Sequence, residues 1–290
     1  MPDTESILRL NDVYHTYSYG TPWAKAALDG VSFQLRPEET VIVTGSNGSG
    51  KSTLLQHMNG LLKPERGQIY FKGQDIWQDK KNIRQVRFQI GIAFQFPEYQ
   101  LFHKTVAEDI AFGPKNMGLT ASQINERTEE ALFFVGLEQK IKDYSPQRLS
   151  TGEKRRVSLA GIIAMQPKIL LLDEPTVGLD PQGGQLIMER MRAYQQARGI
   201  ALVIVTHDLE NVGAVTDRVI MMKEGKIHRE GQLSKILAGA PDDELPKPVI
   251  TQLFQELSAR GVPVNRGTML VNEAAAQILD LYNKRKEKRA

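Results

Sequence analysis

No cysteine occurs among the 290 residues, which excludes disulfides and any zinc or iron–sulfur centre held by thiolates. Neither sign of charge dominates. The 37 Lys and Arg against 34 Asp and Glu leave a net +3, too small an excess for a nucleic-acid footprint. The one dense basic cluster, Lys284-Arg285-Lys286-Glu287-Lys288-Arg289, lies at the C-terminus and reads as a solvated tail. No apolar run approaches the roughly 18 residues that span a bilayer; the best, Ile169–Leu172 and Ile200–Val205, end in polar residues. The start, Met1-Pro2-Asp3-Thr4-Glu5, lacks the basic-then-apolar pattern of a secretory leader. The expectation is a chain that works inside the cell and does not itself cross a membrane.

What is present is an ordinary globular composition, 41% hydrophobic and 24% charged, sufficient for a large core. Short strands are expected at 7–14, 31–35, 40–44, 68–71 and 90–94, with a helix over 50–62 opening from a glycine loop. From Thr105 to Met165 the pattern is helical, notably over 121–135 and 152–165. Apolar runs without alternation then return at 169–172, 200–206 and 218–222, with a helix at 183–198 between the first two. Such runs fit strands buried on both faces of a largely parallel sheet, and the fold class is α/β with an inserted helical subdomain. The Pro- and acid-rich stretch 239–248 reads as a linker. Beyond it, Val249, Ile250, Leu253, Phe254 and Leu257 share a helical face and a second helix is expected over 274–282, a tail too short to fold alone.

Gly45-Ser46-Asn47-Gly48-Ser49-Gly50-Lys51-Ser52 follows a strand and opens a helix, the context a phosphate loop requires. Its glycines let backbone N–H groups surround phosphates and the helix end adds partial positive charge. Lys51 reaches the β and γ oxygens and Ser52 offers a Mg²⁺ ligand. Asp173 and Glu174 end the strand 169–172, where ligands of α/β folds bind; Asp173 is the expected Mg²⁺ residue and Glu174 the base for water attacking the γ-phosphate. Gln95 and His207 also end strands, as contacts to Mg²⁺ with the attacking water and to the γ-phosphate. Leu149-Ser150-Thr151-Gly152-Glu153 opens another helix, either a plain capping box or a second phosphate-binding terminus offered to another subunit.

Taken together, these residues resemble the ATP-binding cassette (ABC) ATPases over about residues 7–237: the phosphate loop, Gln95, the signature Leu149–Glu153, Asp173 and Glu174, the turn Gly178-Leu179-Asp180, and His207. The resemblance implies a P-loop NTPase fold with an antiparallel β subdomain, a helical subdomain near 98–166 and a C-terminal helical extension over 238–290 that packs or dimerises. It also implies a head-to-tail dimer with ATP between one phosphate loop and the other subunit's signature. Nucleotide contacts would then include Tyr17, stacked on adenine with Tyr19 as competitor, and Thr53, Ser150, Gly152, Glu153 and Asp180. Gly20-Thr21-Pro22, Phe94–Phe102 and Gly152–Val157 are similar to the ATPases of energy-coupling factor transporters, importers of vitamins, cobalt or nickel. The ATPase would be peripheral on the cytoplasmic face of the cell membrane. It would pair with an identical or homologous ATPase on a shared transmembrane protein, docked near Phe96, Tyr99, Leu101 and Phe102, with membrane substrate-binding subunits engaged indirectly. A conventional ABC importer and a soluble non-transport ABC ATPase are the alternatives. Thr151 and Glu153 depart from the usual L-S-G-G-Q, and the β-branched Thr151 is expected to slow the composite site.

Overall fold

The computed structural model describes residues 6–79, 82–209, 218–239, 247–269 and 271–287, with side chains through Lys284. Two sheets organise it. The first is antiparallel, in the order β2–β1–β4–β5, built from β1 (Leu8–Tyr17), β2 (Lys25–Leu35), β4 (Arg66–Phe71) and the short β5 (Gln74–Asp75). The second runs β10–β9–β3–β8–β7–β6, from β3 (Thr40–Gly45), β6 (Ile90–Ala93), β7 (Ile169–Asp173), β8 (Ala201–Val205), β9 (Arg218–Lys223) and β10 (Lys226–Gln232). All its ladders are parallel except the one that adds β10.

Every residue of β7 and β8 is buried, and alternate side chains enter different cores. Leu170, Leu172, Leu202 and Ile204 pack with the helical subdomain, whereas Ile169, Leu171, Val203 and Val205 meet α1 (Lys51–Met58) and the antiparallel sheet. That two-sided burial is why these strands show no alternation in the sequence.

The helical subdomain holds α3 (Val106–Asn116), α4 (Ala121–Phe134) and α5 (Thr151–Ile163), and each begins with a capping box, from Thr105, Thr120 and Ser150. Each box satisfies two orphan groups at a helix start, so the sequence sets these boundaries locally. α6 (Pro181–Arg198) starts on Asp180, whose carboxylate accepts from the Gly183 N–H at 2.8 Å, and ends on Gly199 in the left-handed region.

Several expectations shift. The helix predicted to reach Leu62 stops at Met58, because Gly60 adopts φ +72° and turns the chain. β1 and β2 are longer than expected, and α2 (Asn82–Gln89), β5, β10 and α7 (Leu233–Gly239) are additions. Most of the predicted linker, 240–246, lies outside the described residues. The tail helices are α8 (Val249–Ala259) and α9 (Val271–Glu287). Of the apolar face expected in α8, Phe254 is buried, but Val249 and Leu253 are exposed and Thr251, not expected on that face, is buried. Thr251 donates its hydroxyl to the Thr268 carbonyl at 2.8 Å, and Gln255 reaches the Leu237 carbonyl at 2.8 Å. Those bonds tie the tail to itself and to α7.

Candidate active site

The C-terminal ends of β3, β7 and β8 converge on a cleft of about 360 Å³, lined on its polar side by Asn47, Lys51, Ser52, Gln95, Asp173, Glu174 and His207. The loop between β3 and α1 depends on glycine where the backbone must curl. Gly50 sits at φ +104°, and a Cβ there would collide with the Ala27 carbonyl. Lys51 is buried and donates to the carbonyls of Gly45 at 2.8 Å and Ser46 at 3.0 Å. Burial pulls its ammonium below the usual lysine range, opposed by the charges of Glu174 and Asp173. Gly45, Ser46 and Ser49 frame the loop without lining the cleft; Ser49 is buried and its backbone carbonyl accepts from the Gly225 N–H.

Asp173 is buried at the end of β7, and burial pushes its carboxyl up while a hydrogen bond from Ser52 and the Lys51 charge pull it down. Glu174 occupies φ +49°, a strained setting for a residue with a Cβ, fixed by its N–H bond to the Val205 carbonyl at 2.8 Å. Its Oε1 accepts from His207 Nδ1 at 2.8 Å, and its Oε2 is buried with no protein partner. An ionised carboxylate only accepts, so His207 carries its proton on Nδ1 here. The adjoining hydroxyl and carboxylate of Ser52 and Asp173, with Gln95 opposite, are hard oxygen donors of the kind Mg²⁺ takes when phosphates complete its shell. No group of three or more His, Asp and Glu among the described residues forms a dedicated metal cage.

At the other end of the cleft, Tyr17 and Thr53 line the wall, with the Tyr17 hydroxyl 3.3 Å from Thr53 Oγ1. Tyr19 is not in the lining, which separates the two aromatic candidates. Lys25, Ala27 and Val177 also line the cleft and were missed from sequence, because only the β1–β2 register brings Lys25 opposite Tyr17.

Ser150, Gly152 and Asp180 do not join this cleft; with Thr151 and Arg156 they line a separate one of about 410 Å³. Ser150 is the N-cap of α5, and its N–H and hydroxyl bond to Glu153 Oε2 at 2.9 and 2.7 Å, which holds the Glu153 carboxyl below its ordinary value. Among the aromatic residues after Gln95, Tyr99 and Phe102 are exposed, and Phe102 forms a patch with His103 and Phe112. Phe96 and Leu101 are instead partly buried, Leu101 against the main core.

A β-sheet end carrying a phosphate loop, two strand-end carboxylates and a strand-end histidine defines a nucleotide-hydrolysing P-loop protein of the ABC type. Residues 28–177 match the family model described as ABC transporter. The chain is 44% identical over 94% of its length to the energy-coupling factor transporter ATP-binding protein EcfA2 of Caldanaerobacter subterraneus subsp. tengcongensis, covering 96% of that protein. It is 40% identical over 90% of its length to the EcfA2 of Bacillus subtilis, covering 97%. Among solved structures, cbiO1 of Clostridium perfringens, part of the ABC transporter complex cbiONQ, superposes with a TM-score of 0.75 at 37% identity, covering 88% of this chain and 96% of that one. The cassette MJ0796, dimeric in a post-hydrolysis state with ADP and Pi, gives 0.70 at 31% identity, covering 78% and 98%. The chain belongs to the ABC transporter ATPases, in the group of energy-coupling factor ATP-binding proteins. It is an ATPase.

Proposed function

We propose that this chain drives an energy-coupling factor importer for vitamins or transition-metal ions as one half of a pair of ATPase cassettes, identical or homologous. The observation that carries the reading is the separation of the two clefts: one holds the phosphate loop with its carboxylates, the other holds Ser150, Gly152 and Asp180 without a phosphate loop. Each half-site is chemically incomplete, and a head-to-tail pair completes both.

In the first cleft the backbone N–H groups of residues 45–50 and the start of α1 receive the phosphates, and Lys51 exchanges its carbonyl partners for phosphate oxygens. Ser52 and Asp173, with Gln95, would hold Mg²⁺, which neutralises charge on the β and γ oxygens when bound. Glu174 takes the proton of the attacking water at its carboxylate, and His207 fixes that carboxylate through Nδ1. Tyr17 offers its ring to adenine. From the second cleft, Ser150 and Gly152 face the other cassette's ATP beside Asp180, and Glu153, which bonds back to Ser150, completes the same helix start. The exposed aromatics Tyr99 and Phe102 supply the docking surface for a shared transmembrane protein, which in turn engages membrane substrate-binding subunits. No helix among the described residues is long and apolar enough to cross a membrane, and the assigned location is peripheral, on the cytoplasmic face of the cell membrane. Residues 238–290 serve as a packing element against the second cassette, with exposed Leu253, Ile278, Leu279 and Tyr282 as its apolar surface.

The test is purification of the tagged chain from native membranes in mild detergent with mass spectrometry of what accompanies it. One multi-spanning protein, an ATPase partner and several small membrane proteins in varying amounts support the reading. A dedicated permease pair, or no membrane protein, refutes it.

A further inference from the structure

Beneath Tyr17 lie two histidines that the chemistry described so far does not use. His15 and Tyr17 are two apart on β1 and share a face, and their rings meet edge to face at 4.7 Å and 84°. On its other side His15 meets the ring of His57 at 4.8 Å and 68°. His57 is wholly buried in α1, and its Nδ1–H donates to the Thr53 carbonyl at 2.8 Å. The Tyr17 hydroxyl returns to Thr53 Oγ1 at 3.3 Å. The path from Tyr17 through His15 and His57 therefore begins and ends on Thr53, two residues beyond Lys51 on the same helix.

The arrangement carries a cost. Both ring nitrogens of His15 and the Nε2 of His57 are buried without a protein partner, and unsatisfied groups of this kind are uncommon unless they serve something. Aliphatic side chains would fill the space without that cost. What imidazoles add is a rigid ring with a positively polarised edge, which suits the face of the next ring in an edge-to-face stack. Burial also pushes His57 down to about 4, opposed by its hydrogen bond to the Thr53 carbonyl and by Glu65, so the His57 ring stays neutral through the physiological range.

We propose that His15 and His57 are positioning residues for nucleotide binding, a buried imidazole stack that fixes the Tyr17 ring against the adenine base relative to the phosphate-binding helix. The inference rests on the reading of Tyr17 as the adenine platform. Tyr17 is 41% exposed at the end of a strand; without the stack only hydroxyl contacts such as that with Thr53 restrain the ring, and part of the binding energy goes into ordering it.

The experiment measures equilibrium affinity of the full chain for two probes, ATP and inorganic tripolyphosphate, which carries the phosphates without the base. His15→Ala and His57→Leu are each expected to weaken ATP by roughly 3- to 10-fold, the range of an aromatic pair, and to leave tripolyphosphate unchanged. His15→Phe, which keeps a ring edge in place, is expected to restore ATP affinity. In a Tyr17→Ala background the histidine substitutions are expected to add nothing further. Equal weakening of both probes would show that the histidines merely support the fold, and would overturn the proposal. Loss of ATP affinity in Tyr17→Ala but not in either histidine variant would overturn it while leaving the Tyr17 reading intact. If Tyr17→Ala itself binds ATP as well as the parent, both fall.

Discussion

Arg155 grips Glu98 with two parallel hydrogen bonds, Nε to Oε2 at 3.0 Å and Nη2 to Oε1 at 2.8 Å, in a pair whose side chains are 1% and 5% exposed. The same guanidinium donates through Nη1 to the carbonyls of Pro175 at 3.1 Å and Val177 at 2.6 Å. A residue of α5, one turn beyond the signature, thereby holds both the segment after Gln95 and the segment after Glu174. The helical subdomain is thus tied to the segments that directly follow two residues of the catalytic cleft, Gln95 and Glu174.

Breaking this pair is expected to be costly. Arg155→Met leaves the Glu98 carboxylate buried and unpaired, with an expected loss of about 3–5 kcal/mol in denaturant unfolding. Replacing both, as Glu98→Leu with Arg155→Met, is expected to recover much of the stability and little of the ATP turnover. Full turnover in that double variant would show the pair to be packing alone.

The Thr151 departure gives a second expectation. Thr151 is the first residue of α5 and exposed, so its side chain stands where the other cassette's nucleotide is expected. Thr151→Gly is expected to raise the single-turnover hydrolysis rate of a composite site built on this signature. Equal rates would mean that the branched side chain is harmless.

Stability should depend on His57 in acid. Its unfolded imidazole titrates near 6.5, whereas the folded one is pushed down to about 4. As pH falls below about 6.5, the unfolded chain binds a proton that the folded chain refuses, so stability declines until about pH 4 and the histidine effect then levels off. That gap is worth about 3 kcal/mol at most. His57→Leu is expected to show a shallower decline between pH 7 and 4 in urea titrations; an unchanged slope would contradict the assignment.

For the docking surface, Tyr99→Ser with Phe102→Ser is expected to abolish recovery of the membrane partner in the pull-down, because aromatic anchors dominate such contacts. Undiminished recovery would place the interface elsewhere.

What the sequence made legible was local. The phosphate loop, the acids behind Ile169–Leu172 and the Ser150–Glu153 box each depend on residues within one turn or one strand end, and the structure forms each of these elements. What it hid depends on register and long-range pairing. Glu98 and Arg155 are 57 residues apart, and nothing in either segment announces the other. Lys25 enters the cleft only because the register of β1 and β2 shifts beside Leu28 and Ala26. In α8, apolar spacing picked out Phe254, which is buried, but it gave no sign that Thr251 turns inward to bond the Thr268 carbonyl while Val249 and Leu253 lie exposed.

The central claim is that Glu174 is the base of an ATP site closed by a second cassette, and Glu174→Gln tests it most directly. The amide keeps the shape of the side chain and a carbonyl oxygen for His207 Nδ1, but it cannot accept the water's proton. With Mg-ATP the variant is expected to accumulate as a dimer in size-exclusion chromatography with light scattering, with steady-state hydrolysis lower by roughly 100- to 10,000-fold. A monomer under saturating Mg-ATP, or turnover equal to that of the parent chain, would contradict the account.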